Sequence, residues 1–225
     1  MNPKTRHSCS TFLLSTPDGR LVGHNLDEYI EVPGLVVANP RGFAKENISW
    51  QDLTGFRSRS RPRVRWVSKY GSITCNMFGK EFPDGGLNEA GLYIGEMTLF
   101  GTKYPQGKGL PKIYHNQWLQ YILDNFETVE QVLASLSQVI MDGHCQWHFF
   151  TVDKLGNTAA IEFPGGQWKD IQPDEVRTIK AYIDNRRSES SSTPFDLAFG
   201  GRMRSADWEQ DRAHIRSMAQ AGVTW

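Results

Sequence analysis

Short runs of apolar and β-branched residues alternate with turn signals through the first half of the chain. The spacing then becomes helical, and extended runs return near residue 147. Ser10–Thr16 (STFLLST) is rich in strand formers, Pro17-Asp18-Gly19 is turn chemistry, and Leu21–Asn25 resumes the extended pattern. Together they predict a β-hairpin. With the turn centred near Asp18 and Gly19, cross-strand partners have residue numbers summing to about 36 or 37. Cys9 then faces Asp27 or Glu28, which sets a thiol against a carboxylate at the open end of the hairpin.

Further strands are predicted over Ile30–Ala38, Val64–Val67, Ser72–Met77 and Leu92–Leu99, separated by Gly and Pro signals. A helix starting near Pro111 carries Ile113, Trp118, Leu119, Ile122, Leu123 and Phe126 at helical spacing. A second carries Val129, Val132, Leu133, Leu136, Val139 and Ile140. It opens on the capping-box pattern Thr128-x-x-Gln131 and stops at Gly143. Trp147–Val152, the turn Asp153–Asn157 and Thr158–Phe163 form a second hairpin. Beyond Pro164, Ser188–Pro194 reads as a loop and Ala206–Ala221 as a helix. No internal repeat is present. Strands, then helices, then strands describe an α+β domain rather than alternating βαβ units.

At 225 residues the chain supports one substantial core. Lys+Arg and Asp+Glu number 25 each, so the formal net charge is zero, against a dedicated nucleic-acid binder. No apolar run approaches a membrane span. Three cysteines are too few, and odd in number, for a disulfide scaffold. The polar start MNPKTRHS lacks a signal-peptide core, so the expected location is cytoplasmic, without nucleic-acid or membrane partners.

Among chemistry-bearing residues, Cys9 leads. A strand cysteine is ordinarily a small buried apolar residue. Cys9 differs in heading a strand, in following only eight residues, and in facing a carboxylate. A papain-like protease places its cysteine on a helix, which this strand setting does not match. His144, Cys145 and His148 have the flavour of metal ligands. Yet a four-residue spacing aligns ligands on a helix, His148 lies in a strand pattern, and no second cluster supplies more ligands. No metal is expected there. Arg57, Arg59, Arg61, Arg63 and Arg65 alternate, so on a strand they share one face. In a neutral chain a solvated edge is favoured over an anion or RNA surface.

Cys9-Ser10-Thr11-Phe12, Asp18-Gly19 and Gly23-His24-Asn25-Leu26-Asp27 resemble the opening of the choloylglycine hydrolase and penicillin V acylase family. Those are linear-amide C–N hydrolases of the N-terminal-nucleophile superfamily. Further matches follow in the family's order. They are Asn39-Pro40-Arg41-Gly42, Lys69-Tyr70-Gly71-Ser72, Gly86-Leu87-Asn88-Glu89-Ala90-Gly91-Leu92, and Trp147–Asp153 followed by Ala160-Ile161-Glu162. The resemblance spans residues 9–163 and implies a four-layer αββα sandwich over 9–225, with residues 1–8 as a removable leader. Once freed, the Cys9 α-amine, with a reference pKa of about 7.7–8.0, can act as general base for its own thiol. The resemblance assigns Asp27 to holding that amine. It assigns oxyanion donation to the backbone N–H of Thr98 and the side chain of Asn185, and matches Arg212 to a family arginine. No cofactor is implied. The substrate would be a small-molecule amide of bile-salt, penicillin V or N-acyl homoserine lactone type, and the assembly a homotetramer.

Two departures stand out. His24 occupies the place of a family arginine whose permanent charge would stabilise a thiolate. The family also continues into C-terminal strands beyond the point matching Trp225, so the expected sheet is incomplete at that end. The alternative reading is a truncated homologue that binds a ligand or has no activity.

Overall fold

The computed structural model describes residues 9–26, 34–53, 62–77, 79–80, 82–99, 101–106, 109–163, 169–170 and 195–198. The predicted loop at 188–194 and helix at 206–221 lie outside them.

The first hairpin forms from β1 (Ser10–Thr16) and β2 (Gly19–Asn25), paired from Ser10 opposite Asn25 to Thr16 opposite Gly19. Partner numbers therefore sum to 35, not 36 or 37. The two turn residues are Pro17 and Asp18, because the fixed φ of proline suits a turn position and Gly19 already belongs to the strand. Continuing this register sets Leu26, not Asp27, across from Cys9. The strand β14 (Phe195–Ala198) pairs with the other side of β1 and completes a three-stranded sheet.

A second sheet of seven antiparallel strands has the order β13 (Lys169–Asp170), β12 (Thr158–Glu162), β11 (Trp147–Val152), β8 (Tyr93–Thr98), β7 (Gly85–Asn88), β6 (Ser72–Asn76) and β3 (Leu35–Asn39). The second predicted hairpin is thus present as β11 and β12. Of the predicted Ile30–Ala38 strand, the described part runs Leu35–Asn39. The strand β7 has two glycines in its four residues, which hide its extended character in the sequence. A small ribbon, β4 (Ala44–Glu46) with β5 (Arg65–Val67), and a single helical turn, α1 (Trp50–Leu53), flank this sheet.

The two helices are shorter than their apolar spacing predicts. Lys112–Tyr114, including Ile113, is a strand, β9, and the helix α2 runs His115–Asn125. The helix α3 is confined to Val129–Ser135, and Ile140–Asp142 forms β10, parallel to β9. Parallel strands require a crossover, and the α2–α3 pair supplies it. Gly143 is therefore not the helix stop. Ser135 and Ser137 each turn a hydroxyl back to a carbonyl three residues earlier and loosen the last turn of α3. The predicted N-cap forms with its return bond shifted by one residue: Thr128 Oγ1 accepts from the Gln131 N–H, while Gln131 Oε1 accepts from the Glu127 N–H.

Two clusters order the layers. Trp118, Leu119, Ile122 and Leu123 of α2 pack with Ile94, Phe149 and Ile161 on one face of the seven-stranded sheet. On its other face Tyr93, Met97, Phe150 and Val152 meet Leu13 and Val22 of the hairpin. The result is a mixed α+β stack of helices, large sheet and small sheet. A second helical layer over the small sheet is not among the described residues. The face shared by the two sheets continues past β2 as Val36, Ile73 and Leu87, which the described residues leave exposed. No helix among the described residues is long and apolar enough to cross a membrane.

The α2 layer is pinned by a buried acid. Asp124 accepts from Trp66 Nε1 at 2.7 Å and from Gln120 Nε2 at 2.8 Å, and pairs with Lys45 Nζ at 3.0 Å. Three donors around one carboxylate are what a charge in a dry interior requires.

Candidate active site

Alternation along β1 turns Cys9, Thr11 and Leu13 to the same side, and that side faces the large sheet. Cys9 stands half-buried just before β1 and packs against the Leu13, Tyr93, Met97, Phe150 and Val152 cluster. Its side chain thereby lies against the face of the large sheet that the hairpin covers.

His24 is paired with Thr11 and shares that inward face. Its ring meets Tyr93 edge-on, with centroids 6.3 Å apart and planes at 82°. It lies over two glycines: a Cβ at Gly85 or at Gly95 would come within 3.0 Å of His24 Nδ1. Burial pushes the imidazole below its ordinary pKa, against a smaller opposing effect from a hydrogen bond with the Glu96 backbone. His24 is therefore a neutral ring at neutral pH and does not carry the fixed charge of an arginine. Burial likewise pushes the Tyr93 phenol up.

Thr98 ends β8, opposite Trp147 of β11. Neighbouring residues on an antiparallel strand direct their N–H groups to opposite neighbours. The Leu99 N–H goes to Gln146 beyond β11, and the Glu96 N–H goes to Asp84 beside β7. By the same alternation the Thr98 N–H points to the β7 side, away from β11. Asp27, Asn185 and Arg212 lie outside the described residues.

The remaining sequence motifs come together away from the thiol. Arg41 Nη2 binds Glu89 Oε2 at 2.6 Å, and Glu89 Oε1 accepts from the Gly71 N–H at 3.0 Å. The Gly71 amide, then the Arg41 guanidinium, hold the Glu89 carboxyl below its ordinary range. Asn88 is fully satisfied: its amide donates to the Leu123 and Phe126 carbonyls, and its oxygen accepts from the Ala90 and Leu92 N–H groups. Gly91, at φ 88°, lets the turn close. These segments lock a sheet corner to α2; their role is architectural.

On the inward face of β11 and β12, His148 Nδ1 lies 3.3 Å from Glu162 Oε1. The sequence reading placed His148 with His144 and Cys145, and the structure separates it from them. It brings His115, the first residue of α2, to that pair instead. Sequence spacing could not have found His115, which lies 29 and 30 positions away. Of the arginine run, Arg57, Arg59 and Arg61 lie outside the described residues. Arg63 precedes β5 and grips Asp52 with both terminal nitrogens at 2.8 and 2.9 Å, while the exposed Arg65 pairs with Glu46.

A family model for linear amide C–N hydrolases, choloylglycine hydrolase family, matches residues 9–163. Penicillin V acylase of Pectobacterium atrosepticum is 31% identical over 163 residues, covering 60% of this chain and 43% of that protein. The solved structure of penicillin V acylase from Agrobacterium tumefaciens superimposes with a TM-score of 0.62 at 22% identity, over 80% of this chain and 57% of that one. An arginine-to-leucine variant of conjugated bile acid hydrolase from Clostridium perfringens gives 0.58 at 18% identity, over 85% and 64%. The chain thus spans less than half the length of the curated relative, and the structural likeness is one of fold.

Proposed function

Because the chain belongs to the choloylglycine hydrolase family of linear amide C–N hydrolases, we propose that it hydrolyses a small-molecule amide through Cys9. One observation carries this: Cys9 is the first residue matched to the family, and at the head of β1 it packs against the cluster between the two sheets. Removal of residues 1–8 would free the Cys9 amine. That amine takes the thiol proton, and the sulfur attacks the amide carbonyl. The Thr98 N–H, directed to the β7 side, and the Asn185 side chain would receive the oxyanion. The C–N bond then breaks as the amine leaves with the proton, and water cleaves the thioester to release the acid. Asp27 would orient the amine, and Arg212 would line the site. A second helical layer would complete the four-layer sandwich, and a bile-salt, penicillin V or N-acyl amide would be the substrate.

The neutral, half-buried His24 favours a second reading, a homologue without hydrolase activity, since no fixed cation takes the arginine's place at that position. Intact-protein mass spectrometry separates the two. Loss of the mass of residues 1–8 in the wild type but not in Cys9→Ala, with amide hydrolysis that Cys9→Ala abolishes, supports the hydrolase. A full-length mass together with no hydrolysis of penicillin V or glycine-conjugated bile salts refutes it.

A further inference from the structure

The first turn of α2 and the loop between β10 and β11 meet at His115, His144 and Cys145, whose ligand atoms all lie within 4.8 Å of one another. Cys145 Sγ is 3.4 Å from His144 Nε2. Sulfur at about 2.3 Å and nitrogen at about 2.0–2.1 Å from a tetrahedral zinc ion sit about 3.5 Å apart, so this pair already has the spacing of two ligands. His115 is fully buried, and its Nε2, the acceptor nitrogen of the neutral ring, is engaged by one long 3.4 Å hydrogen bond from the Cys145 N–H. An acceptor held so loosely keeps its lone pair available to an ion.

The ring positions are fixed by aromatic neighbours rather than by chance. His144 lies on Trp50 at 4.4 Å, and His115 lies against Tyr114 and Trp147, each at 4.2 Å. The loop can approach because residue 143 is glycine: a Cβ there would fall 1.8 Å from the His115 ring. Downstream, Gln146 ties the loop to the end of β8 through the Leu99 and Gly101 N–H groups. His144 is exposed, which leaves a side open for entry and for a fourth, exchangeable ligand.

We propose that His115, His144 and Cys145 form a binding site for a thiophilic divalent cation of the zinc class. One thiolate and two imidazoles match the softness of that ion and disfavour magnesium and calcium. Binding displaces the thiol proton, so it strengthens as pH rises. The site stands apart from Cys9 and does not depend on the hydrolase reading.

Cobalt(II) titration of the purified full chain tests it, with equilibrium dialysis against zinc for stoichiometry. The expected result is one ion per chain and a near-ultraviolet thiolate-to-cobalt charge-transfer band. The band should vanish in Cys145→Ser, and affinity should fall at least ~10-fold in His144→Gln, whose exposed side chain makes misfolding no concern. It should persist in Cys75→Ser and Cys9→Ser. Absence of the band, its loss with Cys75 or Cys9, or unchanged affinity in His144→Gln would each overturn the site.

Discussion

Gly95 and Gly34 form a matched pair for testing how closely the two sheets pack. Neither has the positive φ that strains other residues, and Gly34 has nothing within 4 Å of an added Cβ. At Gly95 the added Cβ would lie 2.2 Å from Tyr93 Oη and 3.0 Å from His24 Nδ1. Tyr93 belongs to the large sheet and His24 to the small one, so the methyl group must displace the phenol or part the sheets. Overpacking of this kind costs about 1–3 kcal/mol. Replacing a strand glycine by alanine returns roughly 0.5–1 kcal/mol of backbone entropy. The net expectation for Gly95→Ala is a loss of about 1–2 kcal/mol, or a Tm lower by ~2–8 °C at this chain length. Gly34→Ala should leave stability equal or slightly raised. Tyr93→Phe removes the atom at 2.2 Å, so adding it to Gly95→Ala should recover about half of the loss. Thermal unfolding followed by circular dichroism reads all four proteins. If Gly95→Ala melts with Gly34→Ala, or if Tyr93→Phe gives no relief, the inter-sheet packing described for His24 and Tyr93 is wrong.

Two further expectations follow from buried charge. Asp124→Ala strands the Lys45 ammonium and two neutral donors in the interior and should cost about 3–5 kcal/mol by urea unfolding, whereas adding Lys45→Met should recover much of it; additive losses would count against the pairing. For Asp52, burial raises the carboxyl pKa, but hydrogen bonds from Arg63 and Ser49 and the Arg63 charge outweigh it and hold the pKa at about 2 against an ordinary 3.8. The unfolded chain therefore takes up the proton first as pH falls, so a stabilisation of roughly 1 kcal/mol after solvent screening is present above pH 3.8 and is lost as pH falls towards 2. Asp52→Asn should lower stability at neutral pH and flatten that acid limb; an unchanged limb would refute the assignment.

Much of the fold was legible because strand alternation and turn chemistry are local. Both hairpins and β6 and β8 follow from such signals. The register of the first hairpin was missed because turn position, not composition, decides it: Pro17 and Asp18 take the turn, and every partner shifts. The overlong helices have the opposite cause. Ile113 and Ile140 keep helical spacing with their neighbours, yet they belong to two parallel strands that pair Ile113 with Met141 and Ile140 with Lys112, a contact between distant segments that periodicity cannot register. The same limit hid His115, which reaches His144 and Cys145 only because α2 and the β10–β11 loop are folded together.

At the site, the most recognisable motifs and the chemistry part company. Arg41, Gly71, Asn88 and Glu89 satisfy one another and the end of α2, so strong sequence signals there reflect the demands of a polar corner. The close approach of the two sheets is set by residues with weak signals: two glycines, Gly85 and Gly95, and the rings of His24 and Tyr93. That approach fits a neutral imidazole, and burial keeps the imidazole neutral. If Cys9 is a nucleophile, position 24 lends its thiolate no fixed positive charge, and the α-amine freed with the leader's removal is one group that can supply it.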